Sequence, residues 1–256
     1  MPSEETTLIW GRRPILDVVR HNAKKVRELY LKEGISSSFK KEIEDACRRD
    51  KVKIVTLPLS KFEKLFPSDV NHQGIAARIE AGTISFSEWL GRESAGTGRA
   101  VLIFDHLEDV GNVGAIIRTA LAAGVEAVLV PKVRQAPIDG VMYKASAGTV
   151  DRMTMITIGN VADTIRKLKD NGFWVIGLDA GGDGTIWDEN FEGDIAFVVG
   201  SEGEGMHDLV KRECDTILSI PMEPGVESLN ASVSAAILMY EWKRKKVAST
   251  KPQVSK

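Results

Sequence analysis

Cysteine is scarce in this chain, and the usual sequence signs of secretion or membrane insertion are missing. Cys47 and Cys214 are the only cysteines in 256 residues, so neither a disulfide framework nor a cysteine-rich zinc site is expected. No apolar run approaches the roughly 18 residues that span a bilayer. The opening MPSEETTLIWGRRP has no basic region followed by an apolar core, so we expect no signal peptide. Together these features favour a reducing, cytoplasmic setting without a membrane partner.

Histidine is also uncommon in this chain, which bears on metal binding. The four histidines show no metal-ligand spacing, and we expect them to be structural or surface residues: His21, His72, His106 and His207. The chain also lacks the GxSxG and HExxH signatures of hydrolases and metalloproteases. The sequence therefore predicts no metal.

Charge is nearly balanced overall but unevenly distributed. The formal net charge is −2, yet residues 1–80 hold 16 Lys/Arg against 12 Asp/Glu, and residues 241–256 hold 6 against 1. The segment between them, 81–240, holds 12 against 23. Basic ends can contact a polyanion. From charge alone, a simpler interpretation is favoured, in which the basic residues of the first segment lie on solvent-exposed helix faces: Lys24, Lys25, Lys40, Lys41, Arg48 and Arg49.

A segment rich in Gly, Ser and Thr, AGTISFSEWLGRESAGTGR at 81–99, divides the pattern and is predicted to be a linker. Before it, helical spacing in GRRPILDVVRHN and SSSFKKEIEDACRRD alternates with strand-like VRELYL, KVKIVTLP and GIAARIE. A short helix, SKFEKLF, is expected to be capped by Ser60. Residues 1–80 are thus predicted to form a small α/β domain.

After the linker, residues 100–256 alternate apolar strands with helices. RAVLIFD, EAVLVP, RMTMITI, FWVIGLDA, DIAFVVG and TILSIPM are strand-like, and a long helix is predicted from Ala231 to about Lys246. Asn171-Gly172 is expected to end the helix NVADTIRKLKDNG with a left-handed cap. Continuously apolar strands alternating with helices predict a parallel sheet covered on both faces.

Three polar, glycine-bearing loops follow predicted strand ends: HLEDVGN, GSEGEGM and PMEPGVESLN. Ligands of open parallel sheets bind beyond the carboxyl ends of the strands, so three such loops together indicate a site. None has the GxGxxG or GxxxxGK[ST] pattern, which disfavours an ordinary dinucleotide or P-loop site. Taken singly, GSEGEGM is as well explained as a plain strand-to-helix turn.

Two helices flank these loops, and each allows two interpretations. VGNVGAIIRTALAAG places Arg118 within an apolar run, either as an ordinary solvated residue or as a group presented to a ligand. The last helix, for which Ser228 or Asn230 is a natural N-cap, begins ASVSAA. Its small residues suit core packing, or close approach of a partner subunit or of a threaded segment of the chain.

In order and spacing, NVGAIIRTA, VVGSEGEGM and IPMEPGVESLNASVSAAILMYE resemble the three motifs of the SpoU/TrmH family of RNA 2′-O-methyltransferases, part of the SPOUT superfamily. The resemblance covers about residues 100–246. The first domain is similar, more loosely, to the ribosomal-protein-like substrate-binding domain of longer members that methylate guanosine in 23S rRNA. The chain departs from the family at Val110-Gly111, where Pro-His or Pro-Gly is frequent, and in reading SLNAS for SLNVS.

The resemblance implies an α/β fold with a C-terminal trefoil knot, a homodimer with the active site near the interface, and S-adenosylmethionine as cofactor. It implies that the cofactor is held largely through backbone groups of Gly200, Ile220 and Leu229. The polar residues that it carries over to catalysis are Asn112, Arg118, Glu202, Ser228 and Asn230.

The implied substrate is RNA, because a ribose 2′-hydroxyl exists in RNA alone. The family account makes the motif arginine a general base, but a guanidinium pKa above ~12 makes that awkward. We expect Arg118 instead to grip an RNA phosphate and hold the hydroxyl, whose proton leaves through that phosphate or through Arg118. Glu202 is expected to orient groups in the site. The favoured function is 2′-O-methylation of 23S rRNA. The alternatives are 2′-O-methylation of tRNA and a non-catalytic RNA-binding module.

Overall fold

The computed structural model describes residues 6–66, 70–80, 84–92, 98–201 and 203–250. Its strands, in chain order, are β1 Thr6–Trp10, β2 Val26–Lys32, β3 Ile54–Leu57, β4 Ile75–Glu80, β5 Ala100–Asp105, β6 Ala127–Pro131, β7 Thr154–Ile158, β8 Phe173–Leu178, β9 Gly184–Thr185, β10 Asp194–Gly200 and β11 Thr216–Ser219. Its α-helices are α1 Arg12–Asn22, α2 Ser37–Arg48, α3 Leu59–Phe62, α4 Phe86–Leu90, α5 Val110–Ala123, α6 Gly140–Ala145, α7 Val161–Asp170, α8 Asp208–Glu213 and α9 Ala231–Thr250.

Contacts between residues group the chain into two compact units. One consists of Met1–Gly82 together with Pro137–Arg152, and the other of Thr83–Ala136 together with Met153–Lys256. The predicted division of the chain into a first domain at 1–80, a linker at 81–99 and a second domain at 100–256 stays a prediction. The grouping adds a segment that composition did not reveal, because 137–152 joins residues that precede it by more than fifty positions.

The first unit is built on a four-stranded sheet in the order β1-β4-β2-β3. β2 pairs with β3 in parallel, and β4 runs antiparallel to both β1 and β2. The apolar face of α1 is buried through Ile15, Val18 and Val19, as its spacing predicted. The predicted cap of the short helix was wrong: Ser60 lies inside α3, because the carbonyl of Pro58 already accepts from the amides of Lys61 and Phe62.

Residues 137–152 are bound into this unit by close packing and by a buried carboxylate. A Cβ at Gly140 would lie 2.3 Å from Trp10 Cε3, so the ring needs a glycine beneath it. Asp151 is buried; it accepts from the side-chain amide of Asn22, and its Oδ1 lies 3.0 Å from Lys25 Nζ. These contacts explain why the segment is part of the first unit.

The second unit is a seven-stranded sheet in the order β7-β6-β5-β10-β8-β11-β9, and each neighbouring pair is parallel. Every residue of β5 is buried, which fits a strand covered on both faces. Trp89 of α4 is also buried in this core, and its indole N–H donates to Glu126 Oε1 at 3.0 Å. Part of the predicted linker is therefore packed against the sheet.

Helix ends in this unit follow from their sequences. The Asp109 carboxylate accepts from the Asn112 amide at 2.7 Å and starts α5. Gly172, at φ 83°, follows α7 in the predicted left-handed conformation. The long α9 packs against α5, and its Lys243 donates to the carbonyl of Ala122 at 2.8 Å. In the described part of the chain, no helix has both the length and the apolar character to cross a bilayer.

Candidate active site

A cavity of about 680 Å³ opens at the carboxyl ends of β8, β10 and β11. This is the edge at which ligands of parallel sheets bind. Gly200, Ile220 and Leu229, the residues expected to hold the cofactor, all line the cavity, as does Ser228. The second and third loops, which are far apart in the sequence, thus form one wall.

The shape of the second loop depends on Gly200. Ser201 and Gly205 exchange backbone hydrogen bonds of 3.0 and 3.1 Å, which folds the loop back on the end of β10. A Cβ at Gly200 would lie 2.2 Å from the carbonyl carbon of Gly205 and 2.4 Å from the amide nitrogen of Met206. Glycine is required here because two backbone segments touch.

The third loop is joined to the first through two asparagines. Asn230 lines the cavity, and its side-chain oxygen accepts from the amides of Ser232 and Val233, which caps the start of α9 as predicted. Its side-chain nitrogen donates to Asn112 Oδ1 at 2.9 Å. Asn112 is 8% exposed and lies outside the described cavity wall. The hydrogen bond therefore connects the first motif to the cavity.

Arg118 is placed differently from the other proposed catalytic residues. It follows Asn112 by six residues, which is not a whole number of helical turns, so the two side chains leave α5 on different sides. Arg118 is exposed, and among the described residues it is not part of the cavity wall. Glu202 lies outside the described residues.

Sequence reasoning missed Asp179 and Lys211, which also line the cavity and pair at 2.8 Å. Burial opposes ionisation of Asp179, but hydrogen bonds from Lys211 and from the Gly181 amide outweigh it and lower the pKa of Asp179. Asp179 directly follows β8. The expectation that ligands bind beyond the carboxyl ends of parallel strands could therefore have identified it from the sequence. Glu204 and Glu227 add further acid to the wall.

Ion pairs within the first unit engage some of its basic residues. Four of the six cations noted above have an acidic partner: Lys25 with Asp151 at 3.0 Å, Lys40 with Glu44 at 3.9 Å, Arg48 with Asp45 at 2.7 Å and Arg49 with Asp50 at 3.2 Å. Lys24 and Lys41 are exposed, and neither forms an ion pair with another described residue. These two are available to an external anion.

Sequence comparison identifies both parts of the chain. The model of the SpoU rRNA Methylase family matches residues 99–240, and that of the RNA 2′-O ribose methyltransferase substrate-binding family matches residues 8–84. A Staphylococcus aureus protein assigned to the TrmH family of tRNA/rRNA methyltransferases is 39% identical over 246 residues, covering 94% of this chain and 97% of its own. The 23S rRNA (guanosine-2′-O-)-methyltransferase RlmB of Xanthomonas campestris is 32% identical over 249 residues, covering 96% and 100%.

Solved structures share the fold. The SpoU methyltransferase AviRb from Streptomyces viridochromogenes, in complex with AdoMet, superposes with a TM-score of 0.78 at 23% identity, over 95% of this chain and 91% of its own. An AdoMet-bound rRNA methyltransferase from Sinorhizobium meliloti gives 0.74 at 18% identity, over 93% and 87%. The family match spans more than half of the chain, and the relatives span nearly all of it. The chain belongs to the SpoU rRNA methylase family and carries that family's substrate-binding domain ahead of the methylase domain.

Proposed function

We propose that this protein transfers a methyl group from S-adenosylmethionine to a ribose 2′-hydroxyl of RNA, and that its substrate is a guanosine of 23S rRNA. The observation that carries the proposal is the cavity at the sheet edge. Gly200, Ile220 and Leu229 line it, and the Asn230–Asn112 hydrogen bond joins it to the first motif. A non-catalytic module would not need this arrangement of three motifs.

The cavity suits S-adenosylmethionine in size and charge. About 680 Å³ lies within the ~300–1,000 Å³ of ordinary small-molecule sites. Among the described residues, the wall carries three acidic side chains, Asp179, Glu204 and Glu227, and one basic side chain, Lys211. S-adenosylmethionine carries a sulfonium and an ammonium against a single carboxylate. Backbone groups of Gly200, Ile220 and Leu229 would hold it. When bound, the cofactor supplies an electrophilic methyl group.

The protein's own task is to position the 2′-hydroxyl and to help its proton leave. The backbone N–H of Asn112 donates to the Asp109 carboxylate, and its side-chain oxygen accepts from Asn230. The side-chain amide of Asn112 is therefore held next to the cavity wall. Exposed Arg118 would grip an RNA phosphate and hold the hydroxyl. In this proposal Ser228 contributes a further hydroxyl at the wall, and Glu202 orients groups in the site.

Substrate binding is assigned to the first domain, for which Lys24 and Lys41 offer cations with no acidic partner in the described chain. The choice of rRNA is supported by the relative that is named for guanosine 2′-O-methylation of 23S rRNA. Transfer RNA is the alternative, since the Staphylococcus aureus relative is named for both RNA classes.

We also propose a homodimer, formed in part by α9. Val233, Tyr240 and Val247 are each about half exposed and follow one another by seven residues, so they share one face of the helix. A second copy covering this face would bury the three apolar side chains. Tyr240→Glu should shift the mass measured by light scattering from that of a dimer to that of a monomer; an unchanged mass would exclude this stripe as the interface.

We further propose, from the family resemblance, that the methylase domain contains a trefoil knot and that the protein works in the cytoplasm.

The test of activity is methyl transfer from labelled S-adenosylmethionine to purified rRNA and tRNA, followed by digestion to locate the label. We expect label in 23S rRNA and none in tRNA. Label confined to tRNA would select the alternative substrate. Absence of label from both RNAs, with cofactor binding intact, would favour the non-catalytic module.

A further inference from the structure

A buried carboxylate flanked by two imidazoles lies at the same sheet edge, apart from the cavity wall. Asp105, the last residue of β5, is 0% exposed. Its Oδ1 lies 2.6 Å from Nδ1 of His106, and its Oδ2 lies 3.1 Å from Nδ1 of His207. The His207 amide also donates to Oδ2, at 2.7 Å. The two imidazole rings are 4.3 Å apart between centroids.

The sheet brings these residues together although His106 and His207 are a hundred positions apart. β5 and β10 are neighbours, with Asp105 beside Gly200, and the loop after Gly200 returns the chain to His207 at the start of α8. One potential ligand atom from each residue lies within 4.8 Å of the other two. A small ion could therefore be reached by all three with side-chain adjustments.

The carboxylate lacks a permanent cation. Among the described residues, no lysine or arginine pairs with Asp105, and its charged neighbours are imidazoles that carry charge only when protonated. A fully buried carboxylate is costly without a positive partner. A divalent cation held between the three side chains would supply that permanent positive charge.

We propose that Asp105, His106 and His207 form a binding site for a borderline divalent transition ion, for which Zn²⁺ is the probe. Two imidazole nitrogens and one carboxylate oxygen suit such ions, whereas Mg²⁺ and Ca²⁺ prefer sites made of oxygen ligands. Three protein ligands leave a fourth position for water or an external oxygen. The side chains of His106 and His207 are 24% and 40% exposed, so the ion has an entry path from solvent.

The test is calorimetric titration of the full, chelator-treated protein with Zn²⁺ at neutral pH. His106→Gly and His207→Ala each remove one imidazole; glycine suits position 106, where φ is 60°. His21→Ala and His72→Ala are the matched controls, because neither residue belongs to the cluster. Circular dichroism establishes that each variant is folded.

We expect one Zn²⁺ per chain, with affinity at least ~100-fold weaker in each cluster variant, since even second-shell changes cost ~10–100-fold. The controls should bind as the wild type does, and excess Mg²⁺ should not displace the ion. X-ray absorption should find nitrogen ligands at about 2.0–2.1 Å. Equal Zn²⁺ affinity in wild type and in a folded cluster variant would overturn the proposal, and so would the absence of Zn²⁺ binding to the wild type.

Discussion

Alanine at Gly200 should disrupt the cavity without removing any functional group. The added Cβ would lie 2.2–2.4 Å from three backbone atoms of Gly205 and Met206, where carbon contacts normally lie at about 3.5–4.0 Å. Backbone cannot rotate away as a side chain can, so the loop must shift by roughly 1 Å to restore contact distance. The shift would strain or break the two Ser201–Gly205 hydrogen bonds.

The expected loss of stability combines overpacking, about 1–3 kcal/mol, with weakened hydrogen bonds of ~1 kcal/mol each. We therefore expect the free energy of unfolding in urea to fall by about 3 kcal/mol. Affinity for S-adenosylmethionine, measured by calorimetry, should fall about tenfold or more, because ~1.4 kcal/mol of lost contact has that effect.

Gly159→Ala is the matched control. Gly159 is exposed, and an added Cβ there would meet no heavy atom within 4 Å. The control should change the free energy of unfolding by no more than ~0.5 kcal/mol. If Gly200→Ala unfolds and binds the cofactor as this control does, the close backbone approach does not shape the cavity.

Three further predictions concern charge. Arg118→Ala should lower methyl transfer by ~100-fold or more with unchanged cofactor affinity in calorimetry, because Arg118 is outside the wall; near-normal turnover in Arg118→Lys would exclude a specific guanidinium role. The stability lost in Asp179→Asn, measured in urea, should be present above the ordinary carboxyl pKa of ~4 and should vanish as pH falls through the lowered folded pKa; a loss independent of pH would contradict the pairing with Lys211. Lys24→Glu with Lys41→Glu should weaken RNA binding and flatten its salt dependence without affecting the cofactor; unchanged RNA affinity would remove both lysines from the interface.

Local structure could be predicted wherever one segment decides it. The amphipathic spacing of α1 and α2, the apolar runs of the sheet and the cap at Gly172 depend on neighbouring residues, and the structure confirms them. β1 and the two-residue β9 were missed. Both lie at the edges of their sheets, and the two residues of β9 are too few to show a pattern.

Long-range proximity could not be predicted. The strand order places β10 between β5 and β8, and this order brings Asp105 beside Gly200 and close to His207. Nothing in the spacing of the histidines indicates it. The packing of Gly140 under Trp10 and the burial of Trp89 are similar cases, because composition describes a segment and not the surface on which it packs. The residues predicted to hold the cofactor do lie together at the cavity, because the family pattern from which they were taken already contains that proximity.

The most direct test of the proposed reaction is nucleoside analysis of 23S rRNA after incubation with the protein and S-adenosylmethionine. Ribose methylation predicts a single new nucleoside, 2′-O-methylguanosine, and its loss when the target residue is replaced by 2′-deoxyguanosine. A methyl group on the base, or methylation that persists on the deoxy substrate, would contradict the account.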